Sequence, residues 1–462
     1  MEPEPLAPAP EDDTARSASH PPHIPHSEPA AGTASIEAAA ARGASPLRRF
    51  LKLLGPGLIT GASDDDPSGI GTYATAGAAL GYATLWTALA TYPLMAVTQY
   101  ICAKIGMVSG MGLSGVLRRH YSRQLLYASV VVLTIANTIN AGTDIGAIAA
   151  GVNLLVPVKP ALLIIPIALG IVAFQVWGSY RLIARIFKWL ALALLAYVGA
   201  AFFAHPDARQ VLRATFVPTL HLDAAYLATL VAILGTTISP YLFFWQASQE
   251  VEEEVSLGRR TLKQRKGATD GELRWAAWDV WIGMLFSNLV FYFIILATAA
   301  TLHQAGKTDV QSAADAAAAL RPLVGGGATF LFAVGIIGSG ILAVPILTGA
   351  SAYAVAEAFG WEYGLEKKPR RARRFYAIIV ASTGVGLLIN FLGINPIKAL
   401  FWTAVLNGFL APPLLVVVLR IANNRKVMGK RVNGPWANAF GWLTALVMTA
   451  AAVALVWTWV KR

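Results

Sequence analysis

The stretch "GPGLITGASDDDPSGIGTYATAGAALG", residues 55–81, decides how this chain folds. It is mostly small and apolar, yet it carries Asp64, Asp65 and Asp66 in a row, followed by Pro67, Ser68 and Gly69. The surrounding chain is 56% hydrophobic and only 13% charged over 462 residues. Its mean hydropathy is +0.56, outside the range of soluble domains. The three acids therefore sit in a polytopic membrane protein. A charged side chain at mid-bilayer costs roughly 2.5 to 3.5 kcal/mol even on the lenient insertion scale, so the trio has to face protein or water. Pro67 removes a backbone donor and clashes with the preceding turn, while Gly69 and Gly71 tolerate non-helical dihedrals, so a helix break with free carbonyls is predicted here. Successive helical residues turn by about 100°, so only local unwinding lets all three carboxylates address one cavity.

Segments long enough to cross a ~30 Å hydrocarbon core occur at about 53–81, 83–107, 125–153, 160–177, 183–204, 226–248, 275–302, 328–358, 376–392, 396–420 and 437–460. That makes eleven expected spans. Before them, residues 1–46 hold nine prolines and seven acids against two arginines, with no apolar period, and read as a disordered cytoplasmic tail. His20, His23 and His26 in that tail read as incidental. No cleavable leader pattern opens the chain, so insertion is expected to rely on the first span. The single cysteine, Cys102, rules out a disulfide within the chain. Alternate loops carry twenty Lys and Arg on one side, Arg118, Arg119, Arg259 and Lys426 among them, against five on the other. The positive-inside rule then puts the N-terminus in the cytoplasm and the C-terminus outside. This asymmetry accounts for the net charge of +12, so no nucleic-acid partner is called for.

The sixth span, "LVAILGTTISPYLFFWQASQE" at 230–250, is interrupted near its midpoint by Gly235, Thr236, Thr237, Ser239 and Pro240. Two interrupted helices five spans apart are the pointer to an inverted-repeat secondary transporter that binds its substrate between the unwound segments. The expected organisation is a first repeat over 47–204 and a second over 205–420, followed by a cytoplasmic loop and an eleventh helix over 421–462. The fold class is all-α and polytopic, a 5+5 inverted repeat with helices one and six broken at mid-membrane.

"GPGLITGASDDDPSG" resembles the first-helix motif of the Nramp divalent-metal transporters, in which Asp-Pro-Gly-Asn follows a Gly-Pro-Gly entry. The resemblance extends over about residues 50–420 and implies a leucine-transporter-type fold and divalent-cation transport. In that family the aspartate and asparagine ligate metal, and helix six adds a backbone carbonyl and a methionine from an Ala-x-x-Met-Pro-His motif. Here Asp66 takes the aspartate's position, Gly69 the asparagine's, Thr236 the alanine's, Ser239 the methionine's and Tyr241 the histidine's. A thioether favours Mn, Fe or Co, whereas a hydroxyl is hard and suits Mg. Mg²⁺ gives up its waters reluctantly and is usually held through one or two carboxylates. With Gly69 and Ser239 leaving a wider site, the sequence looks most like the Nramp-related magnesium transporters, with Asp64 and Asp65 as additional metal-site acids. The family associates proton coupling with the helix-six histidine and with helix-three acids. Tyr241 does not carry protons near neutral pH, and Ala147 stands where a second acid would follow Asp144, so weak coupling or none is expected.

On the third span Asn137 and Asn140 share a helical face with Asp144. They are read either as a polar pathway or as a satisfied contact between helices. Asn407 is the polar residue of the tenth span expected to reach the site, with Asn288, Glu357 and Asn390 as lesser candidates. Glu250, Glu252, Glu253 and Glu254 lie at the predicted cytoplasmic exit, drawing cations or simply solvated. "GIIGSGI" at 335–341 reads as close helix packing. The expected substrate is Mg²⁺, with Mn²⁺ competing, and the alternative is a proton-coupled Mn²⁺ or Fe²⁺ importer. An amino-acid transporter of the same fold would not present three aspartates to a carboxylate. A membrane enzyme lacks ligand spacing or a nucleophile motif, so no catalytic role and no cofactor is assigned. A sensor built on the transporter fold is the remoter reading. The expected setting is a bacterial inner membrane, with a monomer favoured.

Overall fold

The computed structural model describes residues 55–177, 196–365 and 367–461. The Pro-rich tail, its three histidines, Arg181, Arg185 and most of the fifth expected span lie outside the described residues. Among those described, the regular structure is helical throughout. The longer helices in chain order are α1 (Pro56–Asp64), α2 (Pro67–Leu80), α3 (Trp86–Ser109), α4 (Leu113–His120), α5 (Arg123–Leu155), α6 (Pro160–Trp177), α7 (Ala196–Phe203) and α8 (Ala208–Phe216). They continue with α9 (Ala224–Thr237), α10 (Pro240–Ser256), α11 (Asp270–Thr298), α12 (Ala328–Phe359), α13 (Arg373–Leu387), α14 (Pro396–Ala422) and α15 (Pro435–Val460). Eight spans among the described residues are long and apolar enough to cross a membrane, and α3 with α4, bent by 60°, makes a ninth. The chain is an integral membrane protein. The expected first span, split into α1 and α2, is not among these.

Both expected breaks are present, and they share one backbone solution. The chain leaves α1 at Asp65 (φ −82°, ψ 51°), extends at Asp66 (φ −69°, ψ 168°) and re-enters a helix at Pro67. It leaves α9 at Ile238 (φ −122°, ψ 57°), extends at Ser239 (φ −73°, ψ 133°) and re-enters at Pro240. The cause is local. A residue before proline is pushed out of the helical region, and proline is well suited to the first helical position, where its missing N–H has no role.

The packing that holds the first break is a seam between α1 and α11. A Cβ on Gly61 would run into the Gly283 carbonyl, and one on Gly283 would meet the Gly57 carbonyl, so the backbones touch directly. One turn away on α11, the buried Asp279 carboxylate accepts from Gly55 N (2.9 Å) and Gly57 N (2.6 Å). Asp279 thereby satisfies donors that the start of α1 leaves free. One turn in the other direction stands Ser287. Elsewhere Gly340, in the segment read as a packing motif, backs onto Ile148 and Pro67, so α12 closes behind the first break.

Candidate functional site

Asp66 is the N-cap of α2. Its Oδ1 accepts from Ser68 Oγ (2.6 Å) and Gly69 N (2.7 Å). Its Oδ2 accepts from Asn140 Nδ2 on α5 (3.0 Å). Asp64 and Asp65 turn the other way, toward α11. Ser287 Oγ lies 2.7 Å from Asp64 Oδ2 and 3.3 Å from Asp65 Oδ1, and its single proton serves one of them at a time. Asp64 Oδ1 and Asp65 Oδ2 have no partner among the described residues. The unwinding at 65 and 66 therefore separates the trio in this conformation instead of gathering it. No three His, Cys, Asp or Glu side chains converge on a metal-sized point among the described residues.

Asp144 lies beside the Ser68 backbone within electrostatic reach of Asp66, with no hydrogen bond of good geometry to either oxygen. Four carboxyls, Asp64, Asp65, Asp66 and Asp144, are thus each at most 1% exposed. None forms an ion pair among the described residues. Burying an ion without a counter-ion costs several kcal/mol after relaxation, so the cluster calls for a neutralising cation or protons.

The second break closes the other side of the site. Ser239 Oγ lies 3.0 Å from Gly235 O and 2.7 Å from Thr236 O, so the hydroxyl serves the end of α9 while its lone pairs remain available. Tyr241 OH donates to Ser63 O (2.8 Å), tying α10 to the last turn of α1. The room expected beside Gly69 is taken up in this conformation. A Cβ there would lie 3.1 Å from Thr236 Oγ1, 3.3 Å from Asp64 O and 3.3 Å from the Tyr73 ring. Asn407 is buried on α14, whose next residue, Gly408, abuts Gly235 of the break.

The other sequence candidates scatter. Asn137 donates to Leu347 O and Ser351 Oγ, both at 3.1 Å, an interhelical contact with α12 away from Asp66. Asn390 donates to Gly142 O (2.8 Å), and Asn288 Oδ1 lies 3.5 Å from Thr91 Oγ1. Glu250 accepts from Gln246 (2.8 Å), Glu252 from Tyr353 OH (3.1 Å), and Glu254 pairs with Arg259 (3.5 Å). Sequence reading missed Ser287 and Asp279, because their partners lie more than 220 residues away.

With this arrangement established, the match to the family described as "Nramp: Natural resistance-associated macrophage protein-like" covers residues 57–458. The chain belongs to the Nramp family. Among curated relatives, the "Divalent metal cation transporter MntH" of Bacillus subtilis is 28% identical over 422 residues, covering 88% of this chain and 92% of its own length. The protein of the same name from Klebsiella pneumoniae is 26% identical, covering 90% and 95%. Among solved structures, the Eremococcus coleocola manganese transporter in complex with an aromatic bis-isothiourea substituted compound superposes with a TM-score of 0.67. It is 19% identical and covers 89% of this chain and 87% of that one. Mhp1, a nucleobase-cation-symport-1 family transporter in a closed conformation, gives 0.55 at 15% identity, with 88% and 92% covered. These likenesses establish the leucine-transporter-type fold for this Nramp chain. Asp66, Gly69, Thr236 and Ser239 all border the two breaks.

Proposed function

We propose that this Nramp chain is a secondary transporter of divalent metal cations, carrying Mg²⁺ and also Mn²⁺ largely hydrated between α1–α2 and α9–α10, with weak or no proton coupling. The observation that carries the reading is the set of buried carboxyls at and beside the first break, none of them in an ion pair among the described residues. The names of the relatives, divalent metal cation transporters, support the class. Asp66 is the principal ligand, joined by the Thr236 carbonyl and by Ser239 as the other break opens. Asp64 and Asp65 add negative charge from the α11 side. The Mg²⁺ preference rests on the oxygen-only donor set: a hydroxyl at 239 where the family has sulfur, and no side chain at 69 to displace water. The second reading is a proton-coupled Mn²⁺ or Fe²⁺ importer; one structural neighbour, at 19% identity, is named a manganese transporter.

Reconstituted protein is expected to admit Mg²⁺ into vesicles loaded with a Mg²⁺-sensitive dye, with Mn²⁺ competing. Robust Mn²⁺ entry without Mg²⁺ entry in the same vesicles rejects the Mg²⁺ assignment, and entry of neither rejects transport. Combining Gly69→Asn with Ser239→Met should lower Mg²⁺ flux a few-fold relative to Mn²⁺ and Cd²⁺. The contacts around Gly69 require Thr236 and Tyr73 to give by a few tenths of an ångström, so the double variant is first checked for its melting behaviour.

Weak coupling rests on Tyr241, whose hydroxyl is committed to Ser63 O as a tie between helices. Metal entry is therefore expected to leave the pH inside the vesicles unchanged. A lumenal dye reporting stoichiometric acidification would overturn this and give the role to Asp144 or to the additional aspartates, Asp64 and Asp65.

A further inference from the structure

At the loop end shared by α4 and α12, away from the two breaks, a surface cleft of about 490 Å³ is lined by Arg118, Arg119, Trp361 and Tyr363, with Glu357 at its base. Arg119 also walls a smaller cleft of about 70 Å³ whose lining includes His120, Lys266 and Lys426. Arg119 thus borders both clefts, the larger shared with Arg118 from the last turn of α4 and the smaller with His120 from the same turn and with Lys266 and Lys426 from two distant segments. Arg118, Arg119, Lys266 and Lys426 form no ion pair among the described residues. The one carboxylate in the cleft is already engaged: Glu357 accepts from Gly112 N (3.1 Å) and Gly115 N (2.9 Å) at the start of α4. Arg118 is fixed in place, because its guanidinium lies against Gly360, the left-handed C-cap of α12 (φ 68°), where a Cβ would collide with it.

The surroundings identify the kind of anion. Phe359 and Tyr127, 51% and 39% exposed, face outward at the ends of α12 and α5 with ring centroids 5.8 Å apart. Phe359 stacks on Trp361 (4.9 Å), and Arg374 covers the Trp361 ring at 5.2 Å. Exposed aromatic rings at span ends mark the membrane interface, and basic pockets between spans at that level hold anionic headgroups. We infer that the cleft around Arg118 and Arg119 is a binding site for an anionic phospholipid, whose phosphate sits between the two guanidinium groups and whose acyl chains run down past Phe359 and Tyr127. The volume is that of a small-molecule site, and planar guanidinium forks suit a phosphodiester. The positive-inside rule accounts for basic loops in general. It does not account for a cleft walled by two adjacent guanidinium groups, neither in an ion pair among the described residues, beside exposed aromatic rings at the ends of two spans.

The test is native mass spectrometry of the full chain in detergent, titrated with dioleoyl-phosphatidylglycerol, with dioleoyl-phosphatidylcholine and with inorganic phosphate. The natural chain is expected to retain phosphatidylglycerol in preference to phosphatidylcholine. Arg118→Gln with Arg119→Gln, which keeps most of the side-chain stems, should weaken phosphatidylglycerol binding about 30-fold, the factor expected for two basic groups at an anionic surface. Arg370→Ala with Arg371→Ala removes the same charge from a loop that lines neither cleft and should leave binding unchanged. Equal losses in both pairs would reduce the effect to general surface charge and overturn the site. So would equal retention of the two lipids by the natural chain. Phosphate binding as tight as phosphatidylglycerol, and lost in the same variant, would overturn the lipid assignment. If the glutamine pair melts early, Arg119→Gln alone, on an exposed helix end, serves as the second variant and is expected to show a smaller loss in the same direction.

Discussion

Replacing Asp66 by asparagine is expected to abolish divalent-metal flux into proteoliposomes while leaving the protein folded. Asparagine caps a helix about as well as aspartate, so the hydrogen bond to Gly69 N and the turn into α2 are retained. What disappears is the charge. Carbonyl and hydroxyl oxygens alone would then have to balance a divalent ion in a low-dielectric site. Mutating an outer partner of a metal ligand typically weakens binding 10- to 100-fold, and removing the ligand's own charge should exceed about 100-fold. An Asp66→Asn protein with normal melting and undiminished flux would reject the proposed site. Asp66→Ala confounds charge with capping and is the poorer experiment.

The second large effect is expected at Gly283. The three atoms nearest to a Cβ there all belong to the backbone of α1: Gly57 O, Gly57 C at 2.8 Å and Leu58 Cα at 2.9 Å. No flexible side chain can give way. Gly283→Val must push α1 off α11 or strain both helices, an overpacking cost of about 1 to 3 kcal/mol. Because α1 is short and held at three levels of α11, by Asp279, Gly283 and Ser287, the cost should appear as opening of that seam. A cysteine placed by Ser63→Cys reports it, since the only native thiol, Cys102, is buried. Maleimide labelling should rise by about 5- to 150-fold, the factor that such a free energy implies, with Gly283→Ala intermediate. Labelling that stays at the rate of the parent protein would show that α1 is held by something other than this seam.

The fold was legible because its signals are local. Pro67 and Pro240 each act on the residue before them, and the observed dihedrals at Asp66 and Ser239 follow from that alone. The span limits likewise follow from apolar length, with α5, α12 and α14 close to where the sequence places them. For the proposed site, the sequence offers only candidate positions and not their partners. That Asn140 serves Asp66 while Asn137, three residues earlier, serves α12 depends on which helices lie on either side of α5. The division of the aspartate trio depends on Ser287, a serine that nothing in its own span distinguishes. The space at Gly69 depends on neighbours in the same way: a missing side chain makes room only where no neighbour moves in, and in this conformation Thr236 and Tyr73 stand beside it.

The three hydrogen bonds received by Asp66 bear on how fast an ion can leave. A carboxylate that waits bare pays the whole cost of desolvation at rest and then grips the first cation to arrive. Asp66 instead waits already satisfied by Ser68, Gly69 and Asn140. In the proposed site, ion binding would be an exchange of partners, and departure the reverse exchange, with the protein's own donors returning as the ion goes. Affinity is lowered and the barrier to release falls with it. A storage site would be poorly served by that compromise, but it suits a site that must empty on every cycle.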